Sequence, residues 1–167
     1  QVEVFSTYRD RETTVAVLGP GHSFFVAAVI LDKICLQSVR TLSPARVLQV
    51  PAEAVRRLFH ADAAFARAIA LELACAYRGI MKEFKNQKLR STIERLANFL
   101  LTHHEQSGAK TSFTLPFEKK VLASRLGMAP EVLSRSFMAL VPYSVRVSGA
   151  AVEIHDVEAL RNLAKPS

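Results

Sequence analysis

Residues 117–140 read FEKKVLASRLGMAPEVLSRSFMAL, and this stretch predicts two short helices joined by a tight turn. Gly127 suits the turn because glycine adopts a left-handed backbone at little cost. Pro130 suits the first position of the second helix, where its missing N–H breaks no hydrogen bond. Such a pair is typical of a helix-turn-helix, whose second helix enters the major groove of DNA. Apolar residues at spacings of three and four predict the buried faces, formed by Val121, Leu122 and Leu126 in the first helix and by Leu133, Phe137 and Leu140 in the second.

The second helix leaves three polar side chains on one exposed face, because Glu131, Ser134 and Arg135 are three and four residues apart. Arg can bind guanine through two hydrogen bonds, Glu can accept one from cytosine, and Ser can bond to several bases. These three residues are therefore the predicted base contacts. A helical hairpin with a solvated charge pair is the alternative. Three cations of the first helix complete the predicted DNA-binding set: Lys119, Lys120 and Arg125.

The charge of the chain favours a polyanionic partner. Among 167 residues, 22 Lys and Arg against 15 Asp and Glu give a net charge of +7. Residues 110–146 carry six Lys or Arg against two Glu, so the suspected DNA-binding part is itself basic. A basic surface without a specific partner is the alternative. Two cysteines indicate no disulfide framework, and the longest apolar run, residues 24–31, is far shorter than the roughly 20 residues of a membrane span. We therefore expect a cytoplasmic protein with no membrane partner.

The first third of the chain predicts β-structure. Strands are expected at residues 2–5 and 13–18 with a polar turn between them, and a strand pair at residues 35–42 and 46–50. Residues 24–31 fit either a buried strand or a short helix. These strands are too few to close a barrel or sandwich, so we expect more sheet upstream of Gln1.

Helices follow. Residues 51–59 predict a short helix and residues 63–87 a long one without proline. Its apolar stripe is narrow and suits a two-stranded coiled coil between two copies of the chain, whereas a core-facing helix of a monomer is the alternative. Cys75 on this helix is expected in the core, and Cys35 is a candidate for the core too. The predicted dimerisation residues are Phe65, Ile69, Leu73, Ala76 and Ile80.

The last part of the chain predicts a winged helix-turn-helix. Ser91 and Glu94 have the spacing of a capping box, so a new helix should begin there and run to about residue 104, with His103 and His104 solvated at its end. Residues 85–90 are then a hinge candidate. A strand is expected at residues 111–115, and a β-hairpin at 145–147 and 151–154 supplies the wing.

This order of parts resembles the Crp/Fnr superfamily of bacterial transcription regulators. The resemblance implies an α+β chain with a partial β-roll (cyclic-nucleotide-binding-like) sensor domain at residues 1–61, a long dimerisation helix and hinge at 62–90, and a winged helix-turn-helix DNA-binding domain at 91–167. Glu131, Ser134 and Arg135 match the Glu-x-x-Ser-Arg motif of the Fnr-like branch. That match implies a homodimer on an inverted repeat of TTGAT-type half-sites in double-stranded DNA. RNA polymerase is the further partner expected.

The sensor half departs from the cyclic-nucleotide pattern of that superfamily. Cys35 and Leu36 stand where an Arg-Ser pair would hold the cyclic phosphate, and the Gly-Glu pair is replaced within residues 24–26. A phosphodiester needs a cation and donors, so no cyclic nucleotide is expected. An apolar or planar ligand fits better. The predicted effector pocket consists of Phe24, Phe25, Val26, Cys35, Leu36, Met81 and Phe84.

The residues KNQKLR at 85–90 and LPFEKK at 115–120 resemble the Dnr and NnrR groups of nitric-oxide-responsive denitrification regulators. That resemblance implies haem as the sensing cofactor, with His22 as the candidate axial ligand and metal-binding residue. An iron–sulfur cluster would need about four thiolates, and the chain has two cysteines. Two alternatives stay open: a regulator of this fold without a small ligand, controlled by thiol state or abundance, and a subunit of an enzyme. The sequence contains no nucleophile elbow, phosphate loop or metal-ligand spacing, so nothing in it favours an enzyme.

Overall fold

The computed structural model describes residues 1–165, which form two compact units. The first unit spans Gln1–Glu83, and the second begins at Phe84. Each unit contains a three-stranded antiparallel sheet.

Three strands and three helices begin in the first unit, in the order β1 (Val2–Tyr8), β2 (Arg11–Leu18), α1 (Val26–Leu31), β3 (Ser38–Thr41), α2 (Ala52–Ala61) and α3 (Ala63–Leu89). The last six residues of α3, from Phe84 onward, belong to the second unit. β1 is the central strand and pairs with β2 and β3. Val4 of β1 is buried and lies opposite Ala16 on one side and Val39 on the other. Val4, Ala16 and Val39 therefore form an apolar row across the three strands.

An ion pair with a buried carboxylate and an exposed guanidinium links the three strands. Glu3 of β1 is 1% exposed and accepts a hydrogen bond from Nε of Arg40 on β3 at 2.7 Å. Thr14 Oγ1 of β2 donates to the same carboxylate, and Arg40 also donates to Glu12. The hydrogen bonds to Glu12 and to Glu3 raise the pKa of Arg40 above its ordinary value. A buried carboxylate is tolerated here because it is both paired and hydrogen-bonded.

The long helix α3 has a defined start and little burial. The Asp62 carboxylate accepts hydrogen bonds from the backbone N–H of Ala64 at 2.8 Å and of Phe65 at 3.0 Å, which caps the helix. The helix then runs for 27 residues. Each of these residues is at least partly exposed in the single chain. Its length and start agree with the sequence pattern.

The second unit contains four further helices and a second sheet, in the order α4 (Thr92–Gln106), β4 (Ser112–Thr114), α5 (Lys119–Arg125), α6 (Pro130–Ala139), β5 (Val145–Ser148), β6 (Ala151–Ile154) and α7 (Val157–Leu163). The capping box at Ser91 and Glu94 is formed as predicted. In the sheet, β6 is central and pairs with β4 and β5. The core of the unit includes fully buried leucines from all four helices: Leu96, Leu100, Leu122, Leu133 and Leu160.

The predicted α+β class and the order of parts are confirmed, whereas several local predictions were wrong. The polar turn is confined to Arg9 and Asp10, because β1 and β2 extend through the polar residues on either side. Residues 46–50 form no strand in the described part of the chain, since β3 pairs with β1 instead; Val47 and Leu48 are exposed there. Residues 26–31 form helix α1. Helix α7, which begins at Val157 after the N-cap residue Asp156, was not predicted from the sequence.

The predicted environments of three side chains were also wrong. His104 is buried rather than solvated, because it lies four residues after Leu100 on the core face of α4. Cys75 is exposed in the single chain rather than packed in a core, and so is Cys35. No helix in residues 1–165 combines the length and the hydropathy needed to cross a membrane.

Candidate DNA-binding surface

The turn between α5 and α6 is fixed by two backbone hydrogen bonds. Gly127 has a φ of +64°, its N–H donates to Ser124 O at 3.0 Å, and the Met128 N–H donates to Ala123 O at 3.0 Å. This is the Schellman arrangement, in which a left-handed residue closes the end of a helix. Pro130 then begins α6. The predicted roles of Gly127 in the turn and of Pro130 at the first position of α6 are therefore confirmed.

One face of α6 is buried and the opposite face is exposed. Leu133 is 1% exposed, and Ser136 and Phe137 are buried beside it. Because helical residues advance by about 100°, the opposite face carries the three predicted base contacts. All three are exposed: Glu131, Ser134 and Arg135. The core thus anchors α6 from behind and presents the predicted contacts outward.

Arg135 is held only loosely. Its Nε–H donates to the backbone carbonyl of Glu131, one turn earlier, at 3.4 Å. A bond of this length is near the limit for a hydrogen bond and costs little to break. The guanidinium is therefore close to its helix in this structure, and its position leaves it able to extend to a ligand.

The cations of α5 occupy two different environments. Lys119 and Lys120 are exposed, and Lys119 Nζ lies 5.4 Å from the centre of the Phe137 ring. Arg125 is only partly exposed, and its guanidinium lies 5.6 Å from the Phe99 ring and 5.8 Å from the Phe117 ring. Stacking on aromatic rings gives Arg125 a structural role. Its assignment to DNA contact stays a prediction.

An aromatic cluster behind Arg125 contains a histidine with a shifted pKa. The His103 ring stacks on Phe99 with centroids 5.5 Å apart and contacts Phe113 at 5.7 Å. Burial, and next the positive charge of Arg125, lower the pKa of His103 below its ordinary value. His103 is therefore a partly buried member of this cluster and not a solvated helix end.

The wing is the hairpin of β5 and β6. Gly149 at its tip has a φ of +60°. The Leu115 N–H donates to Ala150 O at 2.8 Å, which ties the tip to the segment before α5. Arg146 of β5 is exposed opposite Glu153, and sequence reasoning had not singled it out. An exposed cation on a wing next to a helix-turn-helix is the signal that could have identified it.

Comparison with known proteins gives the family of this unit. Residues 94–163 match the family described as the Crp-like helix-turn-helix domain. The chain has the fold of the Crp/Fnr transcription regulators. Crp/Fnr regulators are not an enzyme family, so the comparisons do not support the alternative that the chain is a subunit of an enzyme. Comparison with curated protein sequences gives no significant match.

Three solved structures illustrate the Crp/Fnr similarity. A candidate cAMP-binding regulatory protein from Silicibacter pomeroyi DSS-3 is 28% identical, with 98% of this chain and 73% of that chain covered and a TM-score of 0.65. FixK2 from Bradyrhizobium japonicum is 20% identical, with 99% and 84% covered and a TM-score of 0.69. A CRP/FNR-family regulator from Thermus thermophilus is 16% identical, with 98% and 82% covered and a TM-score of 0.74. The last two show the fold alone.

The predicted effector residues differ in exposure. The rings of Phe24 and Phe25 meet edge-to-face with centroids 5.2 Å apart, and both are partly buried. Phe25 has a φ of +66°, an unusual backbone for a bulky residue, at the start of α1. Val26 is partly buried as well. The more exposed members of the predicted set are Cys35, Leu36, Met81 and Phe84.

The ring of His22, the predicted metal ligand, lies against the backbone of the turn before α1. Its Nδ1 lies 3.3 Å from the carbonyl oxygens of both Gly19 and Pro20. A carbonyl oxygen only accepts, so a hydrogen bond here requires the tautomer that carries the proton on Nδ1 and leaves Nε2 free to bind a metal. Metal-ligating histidines are usually held in this way. Within residues 1–165, no group of three or more His, Cys, Asp or Glu side chains is placed to hold a metal ion.

The long helix of the Crp/Fnr fold carries an exposed apolar stripe. Ile80 is 60% exposed, and Tyr77 and Phe84, three and four residues away, are similarly exposed. Large apolar side chains repeating at this spacing along an exposed face are typical of a helix that packs against another helix. Of the predicted dimerisation residues, Ala76 and Ile80 are exposed in the single chain, and Phe65, Ile69 and Leu73 are partly buried.

Proposed function

We propose that this chain is a transcription regulator that binds an inverted-repeat DNA site as a homodimer, with α6 reading bases in the major groove. The observation that carries the proposal is the division of α6 into a buried apolar face and an exposed face with Glu131, Ser134 and Arg135. Arg135 would bind guanine, Glu131 the paired cytosine, and Ser134 a neighbouring thymine. A TTGAT-type half-site satisfies this set.

Electrostatics supports the same surface. Lys119 and Lys120 lie in the first turn of α5, and Arg146 lies on β5 of the wing, so two of the elements that contact α6 carry exposed cations. Contacts of this kind supply affinity for the phosphate backbone and fix the register of the protein, but they carry no sequence information. Base reading would therefore depend on the face of α6.

The test is a gel-shift titration of Arg135→Ala on a TTGAT palindrome and on a scrambled duplex. A bidentate guanine contact contributes about 1–3 kcal/mol per half-site, so specific affinity should fall by at least tenfold while affinity for the scrambled duplex stays nearly the same. Arg57→Ala is the matched control, because it removes the same charge from an exposed position in the first unit. Equal losses on both duplexes would refute base reading by Arg135.

Assembly would use α3. A dimer needs two recognition helices at a fixed spacing on the two half-sites. The exposed stripe through Tyr77, Ile80 and Phe84 supports a pairing of two α3 helices, since a single chain leaves these side chains in water. RNA polymerase is the further partner that such a regulator would contact at a promoter.

The effector would be an apolar or planar molecule, with haem as the candidate and nitric oxide as its signal. The aromatic pair Phe24 and Phe25 and the orientation of His22 support this choice, and Nε2 of His22 would hold the iron. Bound haem would supply the iron that nitric oxide recognises. Binding would shift the chain between two states only through a difference in affinity for them.

Two measurements test the effector. Absorption spectra after addition of haem should show a ligated spectrum that changes in His22→Ala; an identical spectrum in that variant would exclude His22 as ligand. The cAMP description of the Silicibacter protein makes cyclic AMP the competing effector. Calorimetry should show no binding of cyclic AMP, because Cys35 and Leu36 replace the expected Arg-Ser pair; micromolar binding would contradict this.

A further inference from the structure

Met138 lies in the middle of the exposed face of α6. It follows Glu131 by seven residues, Ser134 by four and Arg135 by three. At about 100° per residue, these intervals place it within roughly 60° of all three and nearly opposite the buried Leu133. Met138 is 71% exposed. It therefore shares the face of the predicted base contacts without packing in the core.

Neighbouring apolar groups make this an extended surface and not a single exposed side chain. Val141, just beyond the end of α6, is 54% exposed. Met138, Val141, Ser134 and Val147 of β5 line one groove between α6 and the wing, and Lys119 lines it as well. The groove is thus largely apolar, although Ser134 and Lys119 are among its lining residues.

The chemistry of the major groove offers one apolar partner for such a surface. Base edges present donors, acceptors and the C5 methyl group of thymine. A methionine side chain is long, flexible and polarizable, so it can reach and cover a methyl group but gains little from a polar edge. Lys119 lines the same groove and is exposed, so it can bind the phosphate of a nearby nucleotide, which fits an occupant that is part of DNA.

We propose that Met138 contacts the C5 methyl of a thymine in each half-site and so extends base recognition beyond Ser134 and Arg135. This inference rests on the proposed docking of α6 in the major groove. A rise of about 1.5 Å per residue puts Met138 about 6 Å further along the helix than Ser134. That distance corresponds to one or two base steps of about 3.4 Å, so the thymine lies one or two base steps from the base contacted by Ser134.

The experiment removes only the methyl group. Each thymine of a palindromic site is replaced by deoxyuridine, one symmetric pair at a time, and affinities are measured by gel shift. For the wild type, loss of the contacted methyl should weaken binding about fourfold per half-site, or about fifteenfold for the pair. Met138→Ala and Met138→Gln should bind the two duplexes equally, whereas Met138→Leu should keep the discrimination. Leu, Ala and Gln all favour helix, so α6 is preserved in each variant.

The outcomes distinguish a failure of the proposed Met138 contact from a failure of the proposed DNA binding. If the wild type binds the palindrome specifically but Met138→Ala loses as much affinity as the wild type at every deoxyuridine, the proposed role of Met138 is wrong. The proposed DNA reading by α6 would stand. Specific binding without any sensitive thymine would overturn the role of Met138 as well. Failure of the wild type to prefer the palindrome over a scrambled duplex would overturn the proposed function, and this inference with it. Thermal unfolding of each variant checks that a loss of affinity is not a loss of fold.

Discussion

Replacing Gly127 by Ala tests whether the turn before α6 depends on backbone conformation alone. A Cβ at this position would have ordinary contacts, because the nearest atom is Gln87 Nε2 at 3.5 Å. The cost therefore comes from the φ of +64°, which an L residue adopts with a penalty of about 1–2 kcal/mol. For a unit of this size, 1 kcal/mol lowers Tm by about 4–8 °C.

The matched variant is Gly127→Asn, since Asn is the residue that tolerates a left-handed backbone best after glycine. Thermal and urea unfolding, followed by a probe in the second unit, should rank wild type above Asn and Asn above Ala. DNA affinity should fall in the same order, because the turn sets the direction of α6. An Ala variant as stable as the wild type, or an Asn variant as unstable as Ala, would refute the conformational argument.

Three further predictions follow from the packing and the charges. Ile80→Glu should convert the dimer to monomers that lose affinity for the palindrome, since two like charges would meet in the α3 interface; sedimentation that still shows a dimer would contradict this. Leu133→Ala should destabilise the second unit by about 2–5 kcal/mol in urea unfolding, because Leu133 is almost fully buried, and a loss below about 1 kcal/mol would be too small for a core position. Burial and the charge of Arg125 lower the pKa of His103 in the folded protein, whereas His103 in the unfolded chain has its ordinary pKa of 6.5. Lowering the pH from 6.5 therefore protonates the unfolded chain first, and the free energy of unfolding should fall until the pH reaches the pKa of the folded His103. His103→Gln should flatten this part of the stability–pH curve, and an unchanged curve would assign it to another group.

Local signals explain why the second unit could be predicted in detail. Three of these signals each involve only a few consecutive residues: the capping box at Ser91, the turn at Gly127 and the alternation in the wing. All the residues that determine each feature are therefore adjacent in the sequence. α7 had comparable signals, since the Asp156 side chain caps it at the Ala159 N–H and Leu160 is buried, but the sequence reading did not use them.

Other features depend on contacts between distant segments. Residues 46–50 have the composition of a strand, yet a strand needs a partner, and β1 pairs with β2 and β3. His104 is buried because its spacing from Leu100 places it on the core face, where residue type alone suggested solvent. The face of α6 was predictable from spacing. Met138 escaped notice because an apolar residue on a helix is usually assigned to the core.

The affinity of the wild type and of Arg135→Ala for palindromes with and without the half-site guanine tests base reading by α6 most directly. The account predicts that guanine to adenine in both half-sites weakens wild-type binding at least tenfold, at about 1–3 kcal/mol per half-site, and leaves Arg135→Ala unaffected. A variant that loses as much affinity as the wild type on the changed site would show that Arg135 does not read that guanine.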